Sequence, residues 1–351
     1  MTDNFVDVVG YQFERVHTGV IAWLLDTESG SSPLSATERA EIITAIAPGL
    51  VDAGKKLKVT ATPEYAPRGR KVRIDLHLKI TEGASEAHIL IECKTDAEVK
   101  TEQLERIGEA FRSALPETRF TLVVLAIGAG QFTLKHQLER LKAQEYQVID
   151  LERALEIFSR RVSAEAHWIY KDWIAAMKEE RDRGAGIEQA MREAGGIDNL
   201  PLGNGGYRRG FSAYYLYYDR LRTHLEKSLG AEWAIYSGVH NPAMGWNERP
   251  ADAGLRMAGI KLYWEFNGRD LCLKAEVPDD VRTIWGGTRH RLIELCRSCS
   301  PRPGKSTSNK SGTWVTAYKW NFPFSGEDTA SLARDIVDLI SRVSERISGA
   351  A

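Results

Sequence analysis

Asp75, Glu92 and Lys94 carry ionisable side chains within two otherwise apolar segments, Arg73-Ile74-Asp75-Leu76-His77-Leu78 and His88-Ile89-Leu90-Ile91-Glu92-Cys93-Lys94. If each segment is a strand, residues two apart share a face, so Glu92 and Lys94 project together while Ile91 and Cys93 turn to the other side. Burying an ionisable group without a partner costs several kcal/mol on the order-of-magnitude scale. Two carboxylates and one ammonium converging at the ends of neighbouring strands therefore point to an ion site. The competing reading is a cross-strand salt bridge on a solvated sheet face. It would suit strands that alternate with polar residues, whereas Ile89-Leu90-Ile91 is apolar on both faces.

Other residues fall into the same frame. The run Phe13-Glu14-Arg15-Val16-His17-Thr18-Gly19-Val20-Ile21-Ala22-Trp23-Leu24-Leu25-Asp26 precedes the strands and sets one Glu inside an apolar helical pattern. Gln103-Leu104 follows them on a second helix. The order helix Glu, strand Asp, strand Glu-x-Lys and helix Gln resembles the PD-(D/E)xK nuclease superfamily, in particular a prokaryotic branch with a Glu and an Ala-Trp-Leu-Leu run in its amino-terminal helix. The resemblance covers roughly residues 8 to 160; Ile74 stands where the family name has Pro.

The resemblance implies a metal-dependent phosphodiester hydrolase acting on DNA with Mg2+ or Mn2+. Asp75 and Glu92 would be metal ligands, the Cys93 carbonyl a third, and Lys94 would orient or deprotonate the attacking water. Glu14 would reach the metal directly or through water. Gln103 would touch the scissile phosphate or position Glu92. Proteins resembling this branch often belong to prokaryotic restriction or phage-defence systems. Simpler alternatives stand beside these roles: a solvent-facing Glu14 paired with Arg15 or Thr18, a surface Gln103, and a His77 satisfied within its strand rather than serving Asp75. A catalytically silent DNA-binding or ligand-sensing protein on the same fold is the alternative for the whole chain.

The elements that must position these residues read as a mixed α/β core. An amphipathic helix over residues 11 to 26, with Phe13, Val16, Val20, Ile21, Leu24 and Leu25 on its apolar stripe, is followed by a helix through Ile46 that Ser35 and Glu38 open as a capping box. Strands are expected at 58–64, 71–80 and 87–94, with Thr81 to Ala84 as a turn. A helix is expected at 98–115, a strand at 120–127, a helix at 133–144, a short strand at Val148-Ile149 and a helical zone at 151–183. This order gives a mixed central sheet of restriction-endonuclease-like type flanked by helices on both faces.

Length argues for two domains: 351 residues exceed the usual size of one core. A charged, glycine-rich tract suggests a nuclease-like domain at 1–180, a linker at 181–209 and a smaller α+β accessory domain at 210–351 for targeting, sensing or dimerisation. Dimerisation would make the chain a homodimer, and sensing would give that domain a small-molecule or protein trigger. Residues 200 to 351 hold 21 Lys and Arg against 16 Asp and Glu, leaving 26 against 32 in the preceding residues, so the second half is the better phosphate grip. Its strand 313–324 sets Trp314, Tyr318, Trp320, Phe322 and Phe324 on one face by parity. That stripe is a core, or else a stacking surface flanked by Arg289, Arg291, Arg302, Lys305, Lys310 and Lys319. The stretch 300–310 reads as a basic surface loop. Cys296 and Cys299 lack a second ligand pair, which argues against a zinc site. No secretory leader or apolar span is visible, so a cytoplasmic protein with reduced thiols and no membrane association is expected.

Overall fold

A computed structural model describes residues 4–28, 30–52, 54, 56–67, 72–95, 101–128, 139, 141–142, 146–160, 166–197, 200, 211–237, 242–246, 255–299, 302–307, 312–325 and 328–350. Its contacts divide the chain into two compact units, Met1–Gly186 and Ile187–Ala351. Among the described residues no helix is long and apolar enough to cross a membrane.

The first unit is built on a five-stranded sheet in the order β1 (Lys58–Tyr65), β2 (Ile74–Glu82), β3 (Ser85–Lys94), β4 (Arg119–Ala126) and β5 (Gln147–Asp150). The first three strands pair antiparallel, and β4 and β5 then run parallel to β3. The sheet is thus mixed, with β3 at its centre. That position explains the apolar run on both faces of β3: Ile89, Ile91 and Cys93 enter one core and Leu90 the other. A short helix α1 (Phe5–Val9) precedes helices α2 (Glu14–Leu25) and α3 (Ala36–Ile46), which close the first core, and α3 is opened by the expected reciprocal Ser35–Glu38 cap. Helices Leu151–Ser159 and Trp168–Glu193 contribute to the same core. The second core is covered by α4 (Thr101–Ala114) through Leu104, Ile107 and Phe111. Of the helix expected at 133–144, residues 139, 141 and 142 are described and are helical, with Leu141 buried in the second core; the rest of it and Val99 lie outside the described residues.

Several features depart from the sequence reading. Phe13 is not on the buried stripe of α2: it caps the helix and is 49 % exposed. The tract 181–193, expected as linker, is helical as part of Trp168–Glu193. An interior glycine costs about 1 kcal/mol against alanine, which Gly184 and Gly186 impose here. The bidentate clasp of Arg183 on the buried Glu180, at 2.7 and 2.9 Å, works in the other direction. Of the remainder of that linker, 194–197 and 200 are described, and 198, 199 and 201–209 lie outside the described residues. Finally, part of the basic loop is an edge strand, β11 (Gly304–Ser306), paired with β12 (Trp314–Asn321).

The second unit is α+β. Its sheet runs β11-β12-β10-β9-β7-β6, with β8 on β9; β6 is Trp233–Ser237, β7 Pro242–Trp246, β8 Arg256–Met257, β9 Ile260–Asn267 and β10 Asp270–Glu276. Helix Ser212–Leu229 lies on β6 and β7, helix Arg282–Cys299 on β11 and β12, and helix Thr329–Ser348 packs on both helices. The aromatic stripe is broken by a β-bulge: Tyr318 pairs with Leu273, but Thr316 pairs with the next residue, Lys274. The extra residue, Ala317, reverses the parity. Tyr318, Trp320, Phe322 and Phe324 are buried, whereas Trp314 is 53 % exposed and meets Tyr263 edge-on. The basic residues named for a stacking surface are dispersed. Lys319 pairs with Asp270, Arg291 donates to the Ala350 carbonyl, and Arg302 lies over the Phe322 ring. Lys310 lies outside the described residues. Cys272 and Cys296 are buried thiols, and burial pushes each up to about 12.

Candidate active site

The register of β2 on β3 pairs Leu76 with Ile91, which brings Asp75 beside Glu92 across the strand boundary. The Asp75 carboxylate accepts the Cys93 backbone N–H at 2.8 Å, fastening the two strands where the charges gather. Lys94 Nζ then stands 2.7 Å from Glu92 Oε1, 3.5 Å from Glu14 Oε2 and 4.0 Å from Asp75 Oδ2. Gln103 of α4 donates to Glu92 Oε1 at 2.6 Å. The sequence-expected residues Glu14, Asp75, Glu92, Lys94 and Gln103 are therefore brought together, from two helices and two strands. Cys93 contributes its backbone, and its thiol is buried in the first core.

One ammonium among three carboxylates leaves negative charge in excess, and the ionisation of each group reflects this. Burial, together with the neighbouring Asp75 and Glu14, pushes Glu92 up to about 7 despite the contact with Lys94. Burial likewise raises Asp75 and Glu14 above their ordinary range, against the opposing pull of Lys94. Burial opposes the Lys94 charge, but Glu92, Glu14 and Asp75 outweigh it and hold the ammonium protonated well past the ordinary lysine range.

Glu92 Oε2 is buried and, among the described residues, has no hydrogen-bond donor. A buried carboxylate oxygen left in this state costs free energy that a cation would recover. Together with excess carboxylate charge, this is a donor set suited to a hard divalent cation, which prefers oxygen ligands. Among the described residues no three His, Cys, Asp or Glu side chains cluster as a ready metal cage. The candidate set of Asp75, Glu92 and a backbone carbonyl has only two such side chains, so the two observations are compatible.

His77 does not serve Asp75 by any hydrogen bond of the described structure. Its Nε2 meets His88 Nδ1 at 2.8 Å, and His88 Nε2 meets Glu86 at 2.9 Å. Burial, and then His88, pushes His77 down to about 4.

A brace that the sequence reading missed holds the site's rim. The indole N–H of Trp173 donates to His17 Nδ1 at 3.0 Å, so the proton of the ring sits on Nε2, which donates to the Tyr11 carbonyl at 2.7 Å. The Tyr11 hydroxyl donates to the Ile127 carbonyl at 2.6 Å, and the Ile127 N–H to the Lys94 carbonyl at 3.0 Å. Thr95 Oγ1 donates to the Gln12 carbonyl at 2.9 Å. The chain thereby ties the segment before Glu14 to the end of β3. The signal available for it was a histidine, His17, beside the apolar stripe of α2.

Gly128 closes the same junction. A Cβ built there would stand 1.6 Å from the Thr95 carbonyl oxygen, so backbone must move. Gly128→Ala is expected to destabilise by about 1–3 kcal/mol, the range for overpacked interiors, and to misplace Lys94. Thermal melting checks the first effect, and an unshifted melting temperature would show that the junction can relax.

A family model described as the PD-(D/E)XK nuclease superfamily matches residues 3–193. No curated protein and no solved structure matches the chain.

Proposed function

Because the chain belongs to the PD-(D/E)XK nuclease superfamily, whose members are generally metal-dependent nucleases, we propose that it is a deoxyribonuclease that uses Mg2+ or Mn2+ to hydrolyse phosphodiester bonds of DNA. The setting suggested by the resemblance is restriction or phage defence. The observation that carries the chemistry is the buried Glu92 Oε2 without a donor, set among three carboxylates that share one ammonium.

In this reading Asp75, Glu92 and the Cys93 carbonyl hold the ion. When bound, it supplies a water of lowered pKa and offsets charge on the phosphate. Gln103 fixes Glu92 through Oε1 and leaves Oε2 for the cation. Lys94, held protonated by its neighbours, acts as a hydrogen-bond donor that orients the water and neutralises phosphate charge, rather than as a base. Glu14, less buried than Glu92 and lifted above the ordinary carboxylate range, is the group placed to take up the proton lost by the water. Residues 210–351 are assigned to targeting, sensing or dimerisation.

The direct test is incubation of the full chain with linear, circular and single-stranded DNA in magnesium, manganese or EDTA. Cleavage that EDTA abolishes is the expected result; no cleavage of any substrate in either metal would overturn the reading. Glu14→Gln should lower the rate by a factor of about ten to a thousand, the scale of one positioned polar group, while manganese affinity by calorimetry changes little. Full activity would return Glu14 to a structural role.

A further inference from the structure

Phe13 directly precedes Glu14 of the site, at the start of α2, and is exposed. The backbone around it is pinned on every side. Its N–H donates to the Gly10 carbonyl at 3.1 Å, and its own carbonyl accepts the Val16 N–H at 2.9 Å, which opens α2. The residue before it, Gln12, is held by Thr95 next to Lys94, and the residue after it is Glu14. The ring lies against Gly10, where a Cβ would come within 3.0 Å of Cδ2 and Cε2 and within 2.8 Å of the Gln12 amide nitrogen. Gly10 has φ +111, a conformation that a side chain would strain further. The glycine thus leaves room for the edge of the Phe13 ring, while 49 % of the residue faces solvent. Val8 and Val9 of the helix Phe5–Val9 are exposed as well, at 73 % and 51 %.

The backbone that carries this exposed ring is held by hydrogen bonds and lies one residue from Glu14 of the carboxylate cluster. A nucleotide whose phosphate lies against Lys94 carries its base to the immediate surroundings of the cluster. The face of an aromatic ring accepts any base by stacking, provided that the base is not already stacked and paired in a duplex. We propose, on the premise that the site hydrolyses phosphodiester bonds, that Phe13 stacks on an unpaired nucleobase next to the scissile phosphate. The preferred substrate is then single-stranded DNA or a frayed duplex end.

The test uses the full chain in EDTA and oligonucleotides carrying 2-aminopurine, whose fluorescence falls on stacking. Wild type should quench the single strand on binding. Phe13→Ala should bind it about 5- to 100-fold more weakly, the range for loss of one base–aromatic stack, lose the quench, and keep its affinity for blunt duplex. Phe13→Trp should restore both. In magnesium, Phe13→Ala should lower kcat/KM for single strands relative to duplex, with an unchanged melting temperature. Unchanged affinity and quench in Phe13→Ala, while wild type binds and cleaves, would overturn this inference and leave the nuclease reading intact. Altered self-association with unchanged DNA binding would assign the ring to a protein contact and overturn it too. A wild type that neither binds nor cleaves any DNA would overturn both.

Discussion

Replacing Glu92 by Gln is expected to abolish manganese binding and to lower cleavage by more than about a thousandfold, because the substitution removes the charge of the most buried carboxylate while preserving its shape and an oxygen for Gln103 to reach. Asp75→Ala should do the same and should also free the Cys93 N–H that now fastens β2 to β3. Calorimetric titration decides the matter: manganese affinity equal to wild type in both variants would sink the metal assignment. Ionisation adds a second signature. Glu92 titrates near 7 in the folded chain against an ordinary carboxylate value of 4.5. Its folded pKa is raised, so its contribution to stability is present below about pH 4.5 and is lost as the pH rises through about 7. The metal-free protein should therefore melt at lower temperature at pH 8 than at pH 5 on account of this group, and Glu92→Gln should reduce that difference. Metal binding must displace the proton, so affinity should climb with pH up to about 7 and then level off.

Lys94→Met is expected to separate binding from catalysis. An ammonium is not a ligand, so manganese should still bind, whereas cleavage should fall by at least about a hundredfold with the loss of the group that orients water and offsets phosphate charge. Stability should drop as well. Removing one partner of a buried ion pair costs about 3–5 kcal/mol, and here Glu92 would keep only Gln103 as a neighbour donor among the described contacts. The loss should be largest at pH 8 and smaller at pH 5, where Glu92 can be protonated, and manganese should recover part of it. Urea unfolding in EDTA at the two pH values measures this. Cleavage at the wild-type rate would remove Lys94 from the mechanism.

Much of this site was legible because strands and helices write their faces into local spacing. The two-residue period placed Glu92 and Lys94 together, the apolar run on both sides of β3 marked a central strand, and the Glu and Gln of flanking helices stood in a recognisable order. Reading failed where a single backbone event reverses a pattern. Phe13 fits the periodic stripe of α2, but the helix begins one residue later, so its ring turns outward. Trp314 fits the alternation of β12, but the bulge at Ala317 moves it to the other face. The glycines of 181–193 read as a break, although the tract is helical and begins beside an ion pair buried within a single turn.

What the sequence alone determined is therefore the inventory and its sidedness: which residues carry charge, which strands are central, and which helices must flank them. Tertiary structure alone decided that Glu14 and Gln103 meet on Lys94 and Glu92, that Glu92 Oε2 is left without a donor, and that Tyr11, His17 and Trp173 brace the rim. The physical reason is range. Face and period are set by backbone geometry within a few residues, whereas these contacts depend on the register of β2 on β3 and on the helices packed about the sheet, and no local pattern encodes either.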